Sequence, residues 1–136
     1  MNSTSCDCLR DILKTILILQ KNARPSDKLL DTCDKKVLGK CCIKDIYNTR
    51  PITLYTCCPD GTKPLRMPVS KDPNETILSN VFRIEKLDDK CATFRVLKVK
   101  PCTNETEYIA TDSFFTIHLS CVCIIKCLDD TFVDCV

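Results

Sequence analysis

The segment Val81-Phe82-Arg83-Ile84-Glu85-Lys86-Leu87-Asp88-Asp89-Lys90-Cys91-Ala92-Thr93-Phe94-Arg95-Val96-Leu97-Lys98-Val99 decides the fold through its alternation. Side chains two apart on a strand share a face, so Phe82 and Ile84 point the same way in the first arm. In the second arm Ala92, Phe94 and Val96 share one face, and Thr93, Arg95 and Leu97 share the other. Asp88-Asp89-Lys90 is short, polar and turn-prone, and it joins the arms as a hairpin. A hairpin with one apolar face needs further elements to bury it.

Short β-prone runs punctuated by turn residues lie on both sides. Ile52 to Thr56 is one, closed by Cys57-Cys58-Pro59-Asp60-Gly61, in which Pro-Asp-Gly forms a turn. Lys63 to Val69 is interrupted by prolines and belongs at an edge. Tyr108 to Ala110 and Phe115 to Leu128 complete the sheet. The spacing predicts a mainly β domain, an antiparallel β-sandwich of jelly-roll-like form. Phe82, Ile84, Phe94, Val96, Ile117 and Leu119 are its expected core.

Ahead of the sheet, Leu9, Ile12, Leu13, Ile16 and Leu17 follow the spacing of one helical stripe. Ser5 or Asp7 can cap this helix, which is expected from about Asp7 to Asn22, and Pro25 bars its continuation. Ile18 and Leu19 widen the stripe, so the helix is expected to lie against the sheet. Ser26 to Leu30 can begin a second short helix, and Asp31 to Lys44 reads as a loop. The expected organisation is one domain: residues 1–45 as arm, helix and cysteine-containing loop, residues 46–128 as β-sandwich, residues 129–136 as a tail.

At 136 residues the chain suits a single core, and 44% hydrophobic against 28% charged residues excludes disorder. The net charge is +2 with basic residues scattered, so no nucleic-acid footprint is expected. No apolar run spans a membrane, Ile16-Leu17-Ile18-Leu19 being too short, and residues 1–8 lack a signal peptide's basic region. The expected site of synthesis is therefore a reducing cytoplasm. Against that stand 13 cysteines, a density typical of covalently stapled scaffolds from oxidising surroundings. The odd number leaves at least one thiol free, metal-bound or joined to another chain.

Their positions divide them. Cys6, Cys8 and Cys135 lie in polar arms near the ends of the sequence and are expected to bridge between molecules. Cys41-Cys42 and Cys57-Cys58 are vicinal, each member pointing to a different partner, and with Cys33 they join the intermolecular candidates. In an unbroken strand, Cys121, Cys123 and Cys127 share a face with Ile117 and Leu119. Neighbours two apart on a strand sit about 6.6 to 6.8 Å apart, near the upper limit for a disulfide, so they seldom bridge one another. With Cys91 these three are expected to face the core. Cys102 is a reserve candidate for intermolecular pairing.

Three other chemistries are open to cysteines. Cys-x-Cys, Cys-Cys and Cys123-x-x-x-Cys127 can bind metal as thiolates, but structural zinc sites carry two ligand pairs at knuckle spacing, and no Cys-x-x-Cys occurs. The same absence argues against thioredoxin-type redox chemistry. A cysteine nucleophile needs a histidine, and His118, the one histidine, stands mid-strand among hydroxyl and apolar residues. No catalytic residue, cofactor or metal is expected, and the chain is read as a non-enzyme. A metal-thiolate protein or a small cysteine-rich binding module are the alternatives.

The runs Asn48-Thr49-Arg50-Pro51-Ile52-Thr53-Leu54-Tyr55-Thr56, Phe82-Arg83-Ile84-Glu85 through Asp88-Asp89-Lys90-Cys91-Ala92 to Arg95-Val96-Leu97, and Ile117-His118-Leu119-Ser120-Cys121-Val122-Cys123-Ile124-Ile125-Lys126-Cys127-Leu128 carry a resemblance. In order and spacing, residues 46–128 resemble the Bacillus spore crust and exosporium proteins of the CotY, CotZ and ExsY group. The Ser-Cys-x-Cys-x-x-x-Cys-Leu ending is the most specific element.

The resemblance implies a structural, self-assembling protein, built as hexameric rings in a two-dimensional layer cross-linked by disulfides. It implies other coat or exosporium proteins as partners, and neither nucleic acid nor membrane. It also resolves the compartment problem. Such a protein is made in the mother-cell cytoplasm without a signal peptide and oxidises once lysis exposes the spore. Which cysteines pair stays open.

Overall fold

A computed structural model describes residues 4–22, 47–100 and 107–136. The expected second helix at 26–30 and loop at 31–44 lie outside the described residues.

The helical stripe produces α1, Thr4–Asn22, so Ser5 and Asp7 fall inside the first turn rather than capping it. Leu13 and Ile16 are fully buried, with Leu9 and Leu17 beside them, whereas Ile12, Ile18 and Leu19 on the widened stripe stay exposed. No helix among the described residues is long and apolar enough to cross a membrane.

The strands are β1 (Ile52–Cys58), β2 (Gly61–Pro64), β3 (Met67–Pro68), β4 (Leu78–Ser79), β5 (Val81–Leu87), β6 (Cys91–Lys100), β7 (Glu107–His118) and β8 (Val122–Cys127). Among the described residues all pairing is antiparallel. Gly61, at φ 120°, lets the Pro59-Asp60 turn lead straight into β2, a conformation L side chains rarely adopt. The main sheet runs β2-β1-β5-β6-β7, with β8 on the other side of β1, and β3 and β4 form a small separate ribbon. β7 and β8 stand at opposite ends of that order, yet only the 3-10 turn Leu119–Cys121 joins them. The sheet therefore curls back on itself, giving a β-sandwich-like domain behind an N-terminal helix.

The main core lies inside the curl, where Leu13 and Ile16 of α1 meet Ile52, Leu54, Phe82, Ile84, Phe94, Val96, Leu119 and Val122. Phe82, Phe94 and Phe115 form an aromatic knot, with Phe82 edge-on to Phe115 at 4.9 Å and Phe94 stacked on Phe115 at 5.4 Å. Of the six residues expected in the core, five are fully buried and Ile117 is half-buried against them. Gln20 ties helix to sheet: its amide donates to the Ile84 carbonyl at 2.9 Å and accepts from the Arg50 N–H at 3.1 Å.

The other face of the hairpin is not simply polar. Leu97, read with Thr93 and Arg95 as an outward residue, is 0% exposed, packed with Val81 and Val133 in a second cluster. Residues following β8 cover this end of the sheet. Arg83, also buried, donates to the Thr49 hydroxyl and the Asn48 carbonyl and pairs with Glu85 at 2.8 Å. Arg95 shares Glu85 at 3.0 Å. One carboxylate thus serves two arginines, whose other N–H groups are met by the Thr49 hydroxyl and the Asn48 and Thr111 carbonyls.

Candidate functional site

The functional set is the cysteines, and the register of the sheet places them. Cys123, at the start of β8, is bonded to Cys57 near the end of β1, with Cα atoms 5.7 Å apart, inside the range a disulfide needs. This pair corrects two expectations. Cys57 is taken by a bridge within the chain rather than between chains, and Cys123 points across to β1 rather than into the core. Antiparallel pairing puts Thr56 opposite Val122 and so brings the two cysteines to the same end of the β1–β8 ladder.

The expected row of core-facing cysteines does not form. It assumed an unbroken strand from Ile117 to Cys127, but the 3-10 turn Leu119–Cys121 resets the alternation. His118 caps that turn, its Nδ1 accepting from the Ser120 N–H at 3.2 Å. Leu119 keeps the buried place, Cys121 and Cys127 are exposed, and Cys123 and Cys91 are half-buried. Cys91 lines a groove with Arg10, Leu87, Asp88, Asp89 and Lys90 between α1 and the hairpin.

Cys8 on α1 and Cys135 are exposed free thiols. Cys6 lies in the first turn of α1 and Cys58 ends β1. Cys33, Cys41, Cys42 and Cys102 lie outside the described residues. Among the described residues no group of three or more His, Cys, Asp or Glu side chains is placed to hold a metal ion.

Two features escaped the sequence reading. Cys91 stands directly opposite His118 in the β6–β7 ladder, a neighbourhood visible only through register. The segment leading to Cys135 is anchored rather than loose. The Asn48 side chain brackets Val133, donating to its carbonyl and accepting from its N–H, Thr49 bridges Thr131, and Arg50 pairs with Asp130. The Arg50 hydrogen bonds hold the Asp130 carboxyl below its ordinary range and raise Arg50 in turn.

The comparisons bear on this arrangement. A family model described as spore coat protein Z matches residues 1–107, most of the chain. The chain belongs to that spore coat family. No curated protein and no solved structure matches it. Family membership makes this a structural protein of the spore surface that works among other coat proteins. β7, β8 and the Ser-Cys-x-Cys-x-x-x-Cys-Leu ending fall beyond or at the limit of the matched residues.

Proposed function

We propose that this spore coat protein assembles with copies of itself into an ordered two-dimensional layer, locked by disulfides between copies, that acts as a resistant barrier. The layer is the exosporium basal layer or the crust, and its units are closed rings, hexameric as in the proteins it resembles. Synthesis is in the mother-cell cytoplasm, and oxidation follows exposure of the spore. The observation that carries this reading is the distribution of thiols. Cys8, Cys121, Cys127 and Cys135 are exposed on four different parts of a folded unit whose bridge Cys57–Cys123 closes within the chain. A ring needs one interface repeated around an axis and a lattice needs a second, and cysteines on several surfaces can lock both. Each new bond takes two thiols, whose two protons and two electrons pass to dioxygen or a low-molecular-weight disulfide.

Electron microscopy and non-reducing gels on the purified protein test this. Ordered sheets that resist heat or denaturant until reductant is added are expected. A single sharp monomer band from fully oxidised protein sinks the proposal. Chelator should change nothing, whereas a metal-thiolate protein loses its fold with it.

A further inference from the structure

β7 ends the sheet order and pairs through one edge, with β6. The direction of its polar groups is fixed at the hairpin. The Asp88 N–H donates to the Cys91 carbonyl at 2.8 Å, so the Cys91 backbone faces β5 and that of Ala92 faces β7. Ala92 pairs with Ile117, whose N–H and C=O therefore face β6, and the Leu119 N–H continues that phase by donating to the Lys90 carbonyl at 2.7 Å. Alternation turns the N–H groups of Phe114, Thr116 and His118 to the opposite, open edge. The contact between the Thr93 and Thr116 hydroxyls at 2.8 Å agrees, because pairs without mutual hydrogen bonds bring side chains closest.

Among the described residues no strand lies along this edge. Proteins blunt edge strands with short length, lysine, proline or a β-bulge. β7 has the last of these at residues 111–113, which stand against Val96 alone, whereas the stretch from Phe114 to His118 is regular and unprotected. β2 is four residues long and carries Lys63 and Pro64, and β8 carries Lys126. β7 has 12 residues with no Lys, Arg, Pro or Gly, and Phe114 on its outer face is 45% exposed.

We infer that β7 is the strand through which two copies of this chain join, antiparallel, about a twofold axis at Phe115. The inference rests on the self-assembly proposed above and names one of its interfaces. Open-edge residues must oppose one another, so in this register Phe114 faces the partner's Thr116, and Asp112, in the bulge but exposed on the same face as Phe114 and Thr116, comes to the partner's His118. The complementarity is chemical as well as geometric. With Nδ1 accepting from Ser120, the neutral His118 ring carries its proton on Nε2, a donor for a carboxylate. The pairing occurs twice by symmetry, and no like charges meet. A shift of two residues sets Asp112 against the partner's Thr116 and loses both pairs.

Three measurements on the reduced full chain test the inference. Thr116→Pro places the proline ring where an outward N–H was, and leaves the β6-facing hydrogen bonds intact. It is expected to keep the wild-type circular dichroism and to stay monomeric by light scattering where the wild type associates. In wild-type protein, amide hydrogen exchange over residues 112–118 is expected to slow on assembly. Asp112→His should weaken association, and adding His118→Asp should restore it. A folded Thr116→Pro protein that assembles normally overturns the inference, as does exchange over 112–118 that is equal in monomer and assembly, which needs no variant. Association of the wild type only when oxidised overturns this interface and leaves the cross-linked layer standing. No association under either condition overturns both.

Discussion

Arg50 holds both carboxylate oxygens of Asp130, Nε to Oδ1 at 2.7 Å and Nη2 to Oδ2 at 3.0 Å. The pair joins the chain just before β1 to the chain just after β8, and so fastens the segment that carries Cys135. Its pH dependence follows from the lowered Asp130 carboxyl. A depressed folded-state value contributes stability above the ordinary carboxylate range near ~4, and that contribution is lost as pH falls through the folded value. Protection of the Thr131 and Val133 amides, taken as exchange relative to the intrinsic rate at each pH, should therefore fall below about pH 4 in wild-type protein. In Asp130→Asn the same amides should already be less protected at neutral pH and lose little further protection on acidification.

The aromatic knot gives the steepest stability effect. Phe94 is fully buried between Phe82 and Phe115, so Phe94→Ala removes packing from three rings together. The expected loss is about 3 to 5 kcal/mol, read as a lower denaturant midpoint in reduced protein. An unchanged midpoint contradicts the placement of this face inside the curl.

Gln20 makes a different kind of contribution. Its amide is buried and serves the Ile84 carbonyl and the Arg50 N–H at once. Gln20→Ala leaves both without a partner, at about 1 to 3 kcal/mol for each group that water cannot reach. Gln20→Glu keeps the acceptor for the Arg50 N–H but sets a buried carboxylate against the Ile84 carbonyl, so at neutral pH its midpoint should fall at least as far as that of the alanine variant.

Cysteine substitutions should separate the bridge from the exposed thiols. Cys57 and Cys123 are 66 positions apart, and loop-closure entropy for that length gives a stabilisation of about 4 kcal/mol at most, commonly 2 to 4. Cys57→Ser should lower the stability of oxidised protein by such an amount and leave reduced protein nearly unaffected. Cys121→Ser, at an exposed position, should change stability by less than about 0.5 kcal/mol. Chemical denaturation with and without reductant measures both.

The contrast between those two cysteines marks what the sequence made legible. The alternation through Phe82, Ile84, Phe94 and Val96 is a local property, and it placed the inner face of the hairpin correctly. Leu97 failed because burial on the outer face depends on Val133, which lies far along the chain and gives no periodic signal. Cys121 failed because a run of β-prone residues does not reveal a three-residue 3-10 turn, whose cap comes from the His118 side chain. The bridge Cys57–Cys123 is a matter of register between β1 and β8, and composition says nothing about register. The helix was placed correctly because a 3.6-residue period needs no partner to be recognised.

The placement of β1 also dictates an order of events during synthesis. Its nearest partner, β2, follows after a two-residue turn, but β8 pairs with it from some 70 positions downstream, with Ile52 opposite Cys127. The local hairpins β1–β2 and β5–β6 can form as soon as they emerge, whereas closure of the curl waits for nearly the whole chain. Until then a growing chain carries β1 with one side bare and Leu54 uncovered, the condition in which strands pair with the wrong neighbour. Truncation before Val122 should therefore yield aggregates rather than a smaller folded domain, and the emergence of β8, rather than collapse of the hairpins, sets the moment at which the folded unit first exists.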